Sequence, residues 1–512
     1  MAQPEETRTA VIDLGSNTFR LVVFTAAGRR WWKRVDEIYE PVRISGGMGP
    51  SGELQPAPME RALGAIDVFA HFCRAAGVDE VRAVATSAIR EASNREAFLA
   101  RARERSGLDI EVLSRRDEAF YGYVAAVNST TLADGVVLDI GGGSMQLTQV
   151  AGRASREAES WRMGAVRMTE RFLPGERATR KQLRALTDHV ARKLGEAEWL
   201  RGAGGSGRLV GLGGTVRTLA VAAEKAADMP SFGVQGFPLQ RSALDELIAE
   251  LAALPAAERR RVPGIKPERA DLILAGAIVI QGVLEAGGFD AMEVTEWGLR
   301  EGIFLATQLA PADPPLVPDV RGASVRNLAA QHGTDERHAQ HVAALALSMF
   351  DGLAAAGLHA GDPEERDLLW AAALLHDIGT TVDYDDHHRH SRYLILNAGL
   401  PGFTPREVAL IGQMARYHRK GTPAMGGLKP LMVKGDQELL DRCSALLRVA
   451  EQLERSRDQT VHDALVELDD GRVRLALVAD EEVPVARWAA ERQSDVFERA
   501  FGRTLEIAEA ER

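Results

Sequence analysis

"AVIDLGSNTFRLVVF", residues 10–24, decides the fold: an apolar run of strand formers is broken in its middle by Asp13, Gly15, Ser16, Asn17, Thr18 and Arg20. A second stretch repeats the pattern. In "GVVLDIGGGSMQLTQV", residues 135–150, Val, Val and Leu lead to Asp139, then Gly141-Gly142-Gly143-Ser144, then apolar residues again. Each reads as a β-hairpin whose turn carries the glycines. A turn without Cβ atoms lets several backbone N–H groups approach one anion, and the flanking hydroxyls add side-chain donors. Asp13 and Asp139 stand where they could hold a cation or orient a water. A single turn of this kind could equally be a plain hairpin turn; two alike, each with an Asp before and hydroxyls after, favour a phosphate cradle.

Around these hairpins strands alternate with helices. "PMERALGAIDVFAHFCRAAG" (residues 58–77) sets Met59, Leu63, Ile66, Phe69 and Phe72 at helical spacing. Residues 80–94 read as a short strand running into a polar turn, and "DIEVLSRRDEAFYGYVAAV" as a strand running into a helix. Residues 156–163 read as polar material. "GRLVGLGGTVRTLAVAA" (residues 207–223) reads as a strand, a turn at Gly211, Gly213 and Gly214, and a helix opened by Thr215. The alternation predicts α/β layering. "PADPPLVP" (residues 311–318), with four prolines in eight residues, is a linker. Beyond it come Ala/Leu-rich helices, and residues 332–418 hold nine of the twelve histidines. From residue 461 an alternating pattern about an Asp-Gly turn predicts a terminal hairpin.

The chain has 512 residues, length enough for three or four domains. No apolar run approaches the roughly 20 residues of a membrane span, and "MAQPEETRTA" lacks signal-peptide character. With two cysteines, Cys73 and Cys443, no disulfide framework forms, so a cytoplasmic protein without a membrane partner is expected. A net charge of −11 speaks against a nucleic-acid binder while leaving room for a local basic groove.

"DLGSNTFRL", "ATSAIREASN", "DEA", "DIGGGS", "GLGGTVRTLA", "KPERADLILAGA" and "WGLREGI", in this order, closely resemble the exopolyphosphatase and guanosine-pentaphosphate phosphatase (Ppx/GppA) family, long form. "HRHSRYLILNAGLPGF" and "ARYHRK" extend the resemblance past the linker. It implies two actin-like ATPase (ribonuclease H-like) α/β domains at 1–127 and 128–310. An all-α HD-like domain at 319–460 and a small α+β module at 461–512 would follow. The implied reaction is hydrolysis of a terminal phosphoanhydride, in which fixed donors and cations hold the phosphoryl oxygens and a water is aligned. Phosphate ligands would be Ser16, Asn17, Thr18, Arg20, Arg90, Gly141, Gly142, Gly143, Ser144, Gly213, Gly214 and Thr215. Glu118 matches the family's general base, although an Asp117-Glu118 pair opening a helix is also what the helix dipole favours. Mg²⁺, with K⁺ as a possible companion, would be held by Asp13, Asp139 and Gln146. Here the sequence departs from the family, which usually has a glutamate where Gln146 stands. The amide keeps an oxygen ligand and loses a charge.

His376-Asp377 closes an apolar helix, and this half resembles the HD phosphohydrolase class, implying a second divalent metal at His338, His376, Asp377 and Glu451. His387, His388, His390 and His418 could add another. The same domain could instead serve substrate binding and dimerisation, and the basic run at residues 416–420 could touch a long polyanion or be a solvated loop. The expectation is a homodimeric exopolyphosphatase. Its alternatives are a guanosine pentaphosphate (pppGpp) phosphohydrolase, an HD-domain nucleotide phosphohydrolase, and a non-catalytic polyanion sensor.

Overall fold

Both glycine-rich stretches fold as hairpins. The computed structural model describes residues 5–48, 51–205, 207–469 and 471–510. Strand β1 (Glu6–Leu14) pairs antiparallel with β2 (Phe19–Ala27), and β2 with β3 (Trp31–Glu40). After helix α1 (Pro56–Ala75), β4 (Glu80–Ala85) lies parallel to β1. Then come α2 (Ser87–Glu91), α3 (Arg95–Ser106), β5 (Ile110–Val112) parallel to β4, and α4 (Arg115–Ser129). The strand order is β3-β2-β1-β4-β5.

The plan then repeats. An antiparallel meander of β6 (Gly135–Ile140), β7 (Met145–Ala151) and β8 (Ala154–Trp161) is followed by α5 (Ala165–Phe172), α6 (Arg180–Leu194), β9 (Arg208–Leu212) and α7 (Gly214–Ala226). Strand β10 (Phe237–Gln240), α8 (Arg241–Ala253), α9 (Ile273–Gly287), β11 (Ala291–Val294) and α10 (Leu299–Gln308) complete it. This sheet has the order β10-β11-β9-β6-β7-β8, the first sheet's order with one added strand. Two such sheets with their helices make up the actin-like ATPase fold expected from the sequence.

The period of two in a strand decides what each side chain faces. Ala10, Ile12 and Leu14 of β1 pack with α1, whereas Val11 joins a different core shared with α4, α10 and the second sheet. In β6, Val136, Leu138 and Ile140 pack with the second half's helices, and Val137 enters the shared core. Asp13 is in phase with Val11 and Asp139 with Val137, so the two aspartates leave strand faces that are turned toward one another.

Three local expectations change. The stretch read as a polar turn after β4 is the short helix α2. Residues 156–163 belong largely to β8, which like β3 is an edge strand; both its faces are largely open to solvent, so the apolar alternation is absent. Gly211 lies within β9, where a Cβ would stand 2.3 Å from the Met292 sulfur, so it serves sheet packing and not the turn.

The chain divides into two compact units after Val320. The proline-rich segment is fastened to the first: the buried Asn128 amide donates to the Pro315 carbonyl (2.9 Å) and accepts from the Val317 N–H (2.8 Å). The second unit holds α11 (Val320–Gln331, from Arg321 on), α12 (Glu336–Ala355), α13 (Pro363–Leu375), α14 (His387–Asn397), α15 (Pro405–Tyr417) and α16 (Asp436–Leu453). Strands β12 (Val461–Asp469) and β13 (Arg472–Ala479) form the terminal hairpin; Asp470 of its turn lies outside the described residues. Helices α17 (Pro484–Glu491) and α18 (Ser494–Phe501) lead to β14 (Thr504–Glu509), parallel to β13. The hairpin packs straight onto α12, where a Cβ on Gly352 would lie 2.8 Å from Val466. Residues 461–510 therefore share a unit with the helices. No helix among the described residues is long and apolar enough to cross a membrane.

Candidate active site

The two hairpin turns are built alike. Gly15 N–H donates to the Thr18 carbonyl (3.2 Å) and Gly141 N–H to the Ser144 carbonyl (3.0 Å). Four further carbonyls are drawn away by neighbouring backbone: Ser16 O and Asn17 O accept from Ser45 and Arg43, and Gly141 O and Gly142 O from Ala165, Val166 and Arg167 at the start of α5. The N–H groups of Ser16, Asn17, Thr18, Gly142, Gly143 and Ser144 have no backbone acceptor among the described residues. They are a set of donors awaiting an anion. The first turn meets α2 through Ser16 and Ser87, whose hydroxyls are 2.8 Å apart, and Gly143 of the second turn lies against both, so that a Cβ there would stand 2.5 Å from the Ser87 oxygen and displace it. Gly213 supplies the third turn. Its φ of +106° and a would-be Cβ 2.7 Å from the Ile140 carbonyl both require glycine, and it delivers the N-terminus of α7 to the same place.

These turns line one cleft of the first unit. Asp13, Ser16, Asn17, Thr18, Arg20, Glu118, Asp139, Gly141, Gly142, Ser144, Gln146, Gly213 and Gly214 all border it. Of the residues expected there, Gly143 and Thr215 stand behind the lining, and Arg90 is set back as the partner of Glu118, donating to its carboxylate and to the Leu113 carbonyl. Three arginines to which the sequence reading assigned no role border it too: Arg217, Arg269 and Arg300. Their signal was present, since each lies in a motif of the resemblance, "GLGGTVRTLA", "KPERADLILAGA" and "WGLREGI". Ser87 was missed with α2.

Four guanidinium groups thus enter the cleft. Arg20 pairs with Glu37 (2.8 Å) and Arg300 with Asp13 (3.3 Å), while Arg217 donates to the Glu296 carbonyl. Burial first, and then repulsion from Arg300 and Arg20, push Arg217 down to about 10; burial and Arg300 likewise lower Arg20. The carboxyls show the converse. Burial raises Asp13 against the pull of Arg300, and burial together with the Glu118 and Asp13 charges lifts Asp139 to about 8. Burial raises Glu118 to about 7, the Arg90 charge holding it below what burial alone would impose.

The helix start separates Glu118 from its neighbour. Ser114 caps α4 and Asp117 completes the capping box, the Asp117 N–H donating to the Ser114 hydroxyl (3.1 Å) and the Ser114 N–H to the Asp117 carboxylate (3.0 Å). Asp117 is occupied by the helix end, and Glu118, one residue on, is 7% exposed and borders the cleft.

Gln146 is the cross-strand partner of Asp139, as Arg20 is of Asp13. Its amide N–H donates to the Ser144 hydroxyl (3.0 Å), and the Asp139 carboxylate has no hydrogen-bond partner among the described residues. A half-buried carboxylate at the edge of a cleft, beside an amide, suits a hard cation that completes its shell with water and phosphate oxygens.

In the second unit His338, His376 and Asp377 form one cluster, and Asp377, His387 and His418 another. Glu451 touches both His338 and His376. His388 and His390 belong to neither cluster.

Residues 22–310 match the model of the Ppx/GppA phosphatase family, and residues 320–488 that of Ppx/GppA phosphatase, domain III. Among solved structures, the Ppx/GppA family member of Aquifex aeolicus is similar at 28% identity and a TM-score of 0.52, over 59% of this chain and 98% of that one. An exopolyphosphatase-like protein is similar at 28% and 0.53, over 58% and 97%. An exopolyphosphatase of Cytophaga hutchinsonii shares the fold at 24% and 0.55, over 59% and 98%.

Proposed function

Because the chain belongs to the Ppx/GppA phosphatase family, we propose that its cleft removes the terminal phosphate of inorganic polyphosphate by attack of water. One observation carries this reading: four arginines and three glycine turns surround a buried glutamate whose pKa, about 7, suits a general base at neutral pH. The donors of the turns hold the oxygens of the terminal phosphoryl group. Arg20, Arg217, Arg269 and Arg300 neutralise the charge of the chain behind it. Glu118 takes the proton of the attacking water, and Arg90 orients its carboxylate. Mg²⁺ bound by Asp139 and Gln146, with Asp13 near, would offset phosphate charge further.

Polyphosphate is favoured over pppGpp because the cleft is bordered by arginines, small polar residues and glycine turns, which suit a run of phosphates, and among the described residues no aromatic ring borders it to take a guanine base. The test is phosphate release from long-chain polyphosphate and from pppGpp in parallel, with and without Mg²⁺. Release from polyphosphate alone, or far faster from it, is expected. Release from pppGpp alone would overturn the substrate, and release from neither would leave a polyanion sensor.

A further inference from the structure

Each donor of the second glycine turn is aimed by whatever holds the carbonyl of its own peptide, because a trans peptide points C=O and N–H in opposite directions. The Gly142 and Gly143 N–H groups share peptides with the carbonyls of Gly141 and Gly142, which the backbone at the start of α5 holds. The third donor is held differently. The Ser144 N–H shares its peptide with the Gly143 carbonyl, which accepts from a side chain, Arg167 Nε at 3.2 Å. A peptide held by a side chain can turn when that side chain moves, and turned over it would face a phosphate with an oxygen in place of an N–H.

Arg167 is held in its turn. Its Nη2 stands 2.9 Å from Glu91 Oε2. Glu91 is the last residue of α2, and its other oxygen accepts from Arg115 Nη2 at the start of α4 (3.2 Å) and from Arg162 Nε just after β8 (3.1 Å). One carboxylate, its side chain 13% exposed, thus gathers three guanidinium groups, Arg115 from the first half of the unit and Arg162 and Arg167 from the second. Burial works to raise the Glu91 carboxyl, but the Arg167 and Arg162 charges and the bonds from Arg115 and Arg167 bring it below its ordinary value, so it stays ionised at neutral pH.

The residue before it acts on the base. Arg90 donates to the Glu118 carboxylate and to the Leu113 carbonyl. Successive side chains leave a helix about 100° apart, so the end of α2 reaches in two directions, to Glu118 through Arg90 and to the second turn through Glu91. Neither Glu91 nor Arg167 borders the cleft itself.

We propose that Glu91 is a positioning residue of the cleft: through Arg167 it fixes the Gly143–Ser144 peptide with its N–H toward the phosphate, and it sets that donor in register with the base that Arg90 holds. The proposal rests on the hydrolytic function proposed above.

The test measures phosphate release from long-chain polyphosphate by wild type, Glu91→Gln, Arg167→Leu, the double variant of these two, and Arg162→Gln, with circular dichroism for each. Glu91→Gln and Arg167→Leu should each lower kcat about tenfold or more and change KM little, since an aimed donor is worth most in the transition state and the arginines of the cleft still hold the chain. The double variant should fall no further than Arg167→Leu, because the two residues act in series. Arg162→Gln breaks an ion pair to the same carboxylate without touching the turn, and its kcat should stay within about twofold of wild type. An unchanged kcat in Glu91→Gln, or losses that multiply in the double variant, would overturn the proposal. So would an equal loss in Arg162→Gln, which would make the cluster a brace between the two halves and nothing more. If Glu91→Gln does not fold, Arg167→Leu against Arg162→Gln decides. If wild type releases no phosphate, the hydrolytic function fails by itself, and calorimetry with inorganic tripolyphosphate decides on Glu91. Affinity should then drop severalfold in Glu91→Gln and Arg167→Leu and hold in Arg162→Gln, and equal affinities in all of them would overturn the proposal.

Discussion

At the scale of single residues, Glu118 and Asp117 show how one position along a helix start separates two carboxylates. Asp117 closes the capping box of α4 and Glu118 enters the cleft beside Arg90. Glu118→Gln should slow phosphate release ~10²-fold or more while polyphosphate still binds. Asp117→Asn should cost about 1 kcal/mol of stability and little turnover. Comparable losses of kcat in both variants would remove Glu118 from its role. Burial raises Glu118 to about 7, and the base works deprotonated, so kcat/KM of the wild type should climb with pH up to about 7 and then level. A flat profile from pH 5.5 to 8 would contradict it. Gln146, beside Asp139 in the sheet register, offers the second test at this scale. Gln146→Glu adds a negative charge next to an unpartnered carboxylate, so half-maximal rate should be reached at several-fold lower Mg²⁺. Superimposable Mg²⁺ curves for the two proteins would remove the cation from Asp139.

At the scale of elements, the glycines of the turns do different work and should fail differently. At Gly143 a new methyl group meets the end of the Ser87 side chain, which can rotate away at the loss of its bond to Ser16. Gly143→Ala should therefore raise KM for polyphosphate severalfold and lower stability by only about 1 kcal/mol. At Gly213 the methyl group meets the Ile140 carbonyl, which cannot rotate away, and φ is +106°. Gly213→Ala should cost roughly 2 kcal/mol or more and lower Tm visibly. Equal Tm values for the two variants would show that the turns share one kind of constraint. Both hairpins could be read from sequence because a strand's period of two and a glycine turn are local patterns. Strand β8 could not, since an edge strand open to water on both faces has no apolar alternation to display.

At the scale of the whole molecule, the division after Val320 follows from where the linker is fastened. The prolines by themselves suggest a cut near Pro314. Cutting there would strip Asn128, 2% exposed, of both its partners, Pro315 and Val317. A fragment of residues 1–320 should fold and release phosphate from short polyphosphate. A fragment of residues 1–314 should be less stable by about 1–3 kcal/mol, the cost of a buried amide left unpaired. Thermal melts of the two fragments decide, and identical Tm values would show that Asn128 does not hold the segment. The larger lesson also lies at this scale. By itself the sequence determined the repeated hairpins, the aspartate before each turn, and the place of Glu118 at the start of α4, because strand phase, turn chemistry and helix capping act over a few residues. Tertiary structure alone decided that Arg217, Arg269 and Arg300 border the same cleft, and which of several histidines meet around Asp377. Arg300 reaches Asp13 across 287 residues of chain. Such a meeting depends on the order of strands in two sheets and the packing of helices between them, and no periodicity within either segment encodes it.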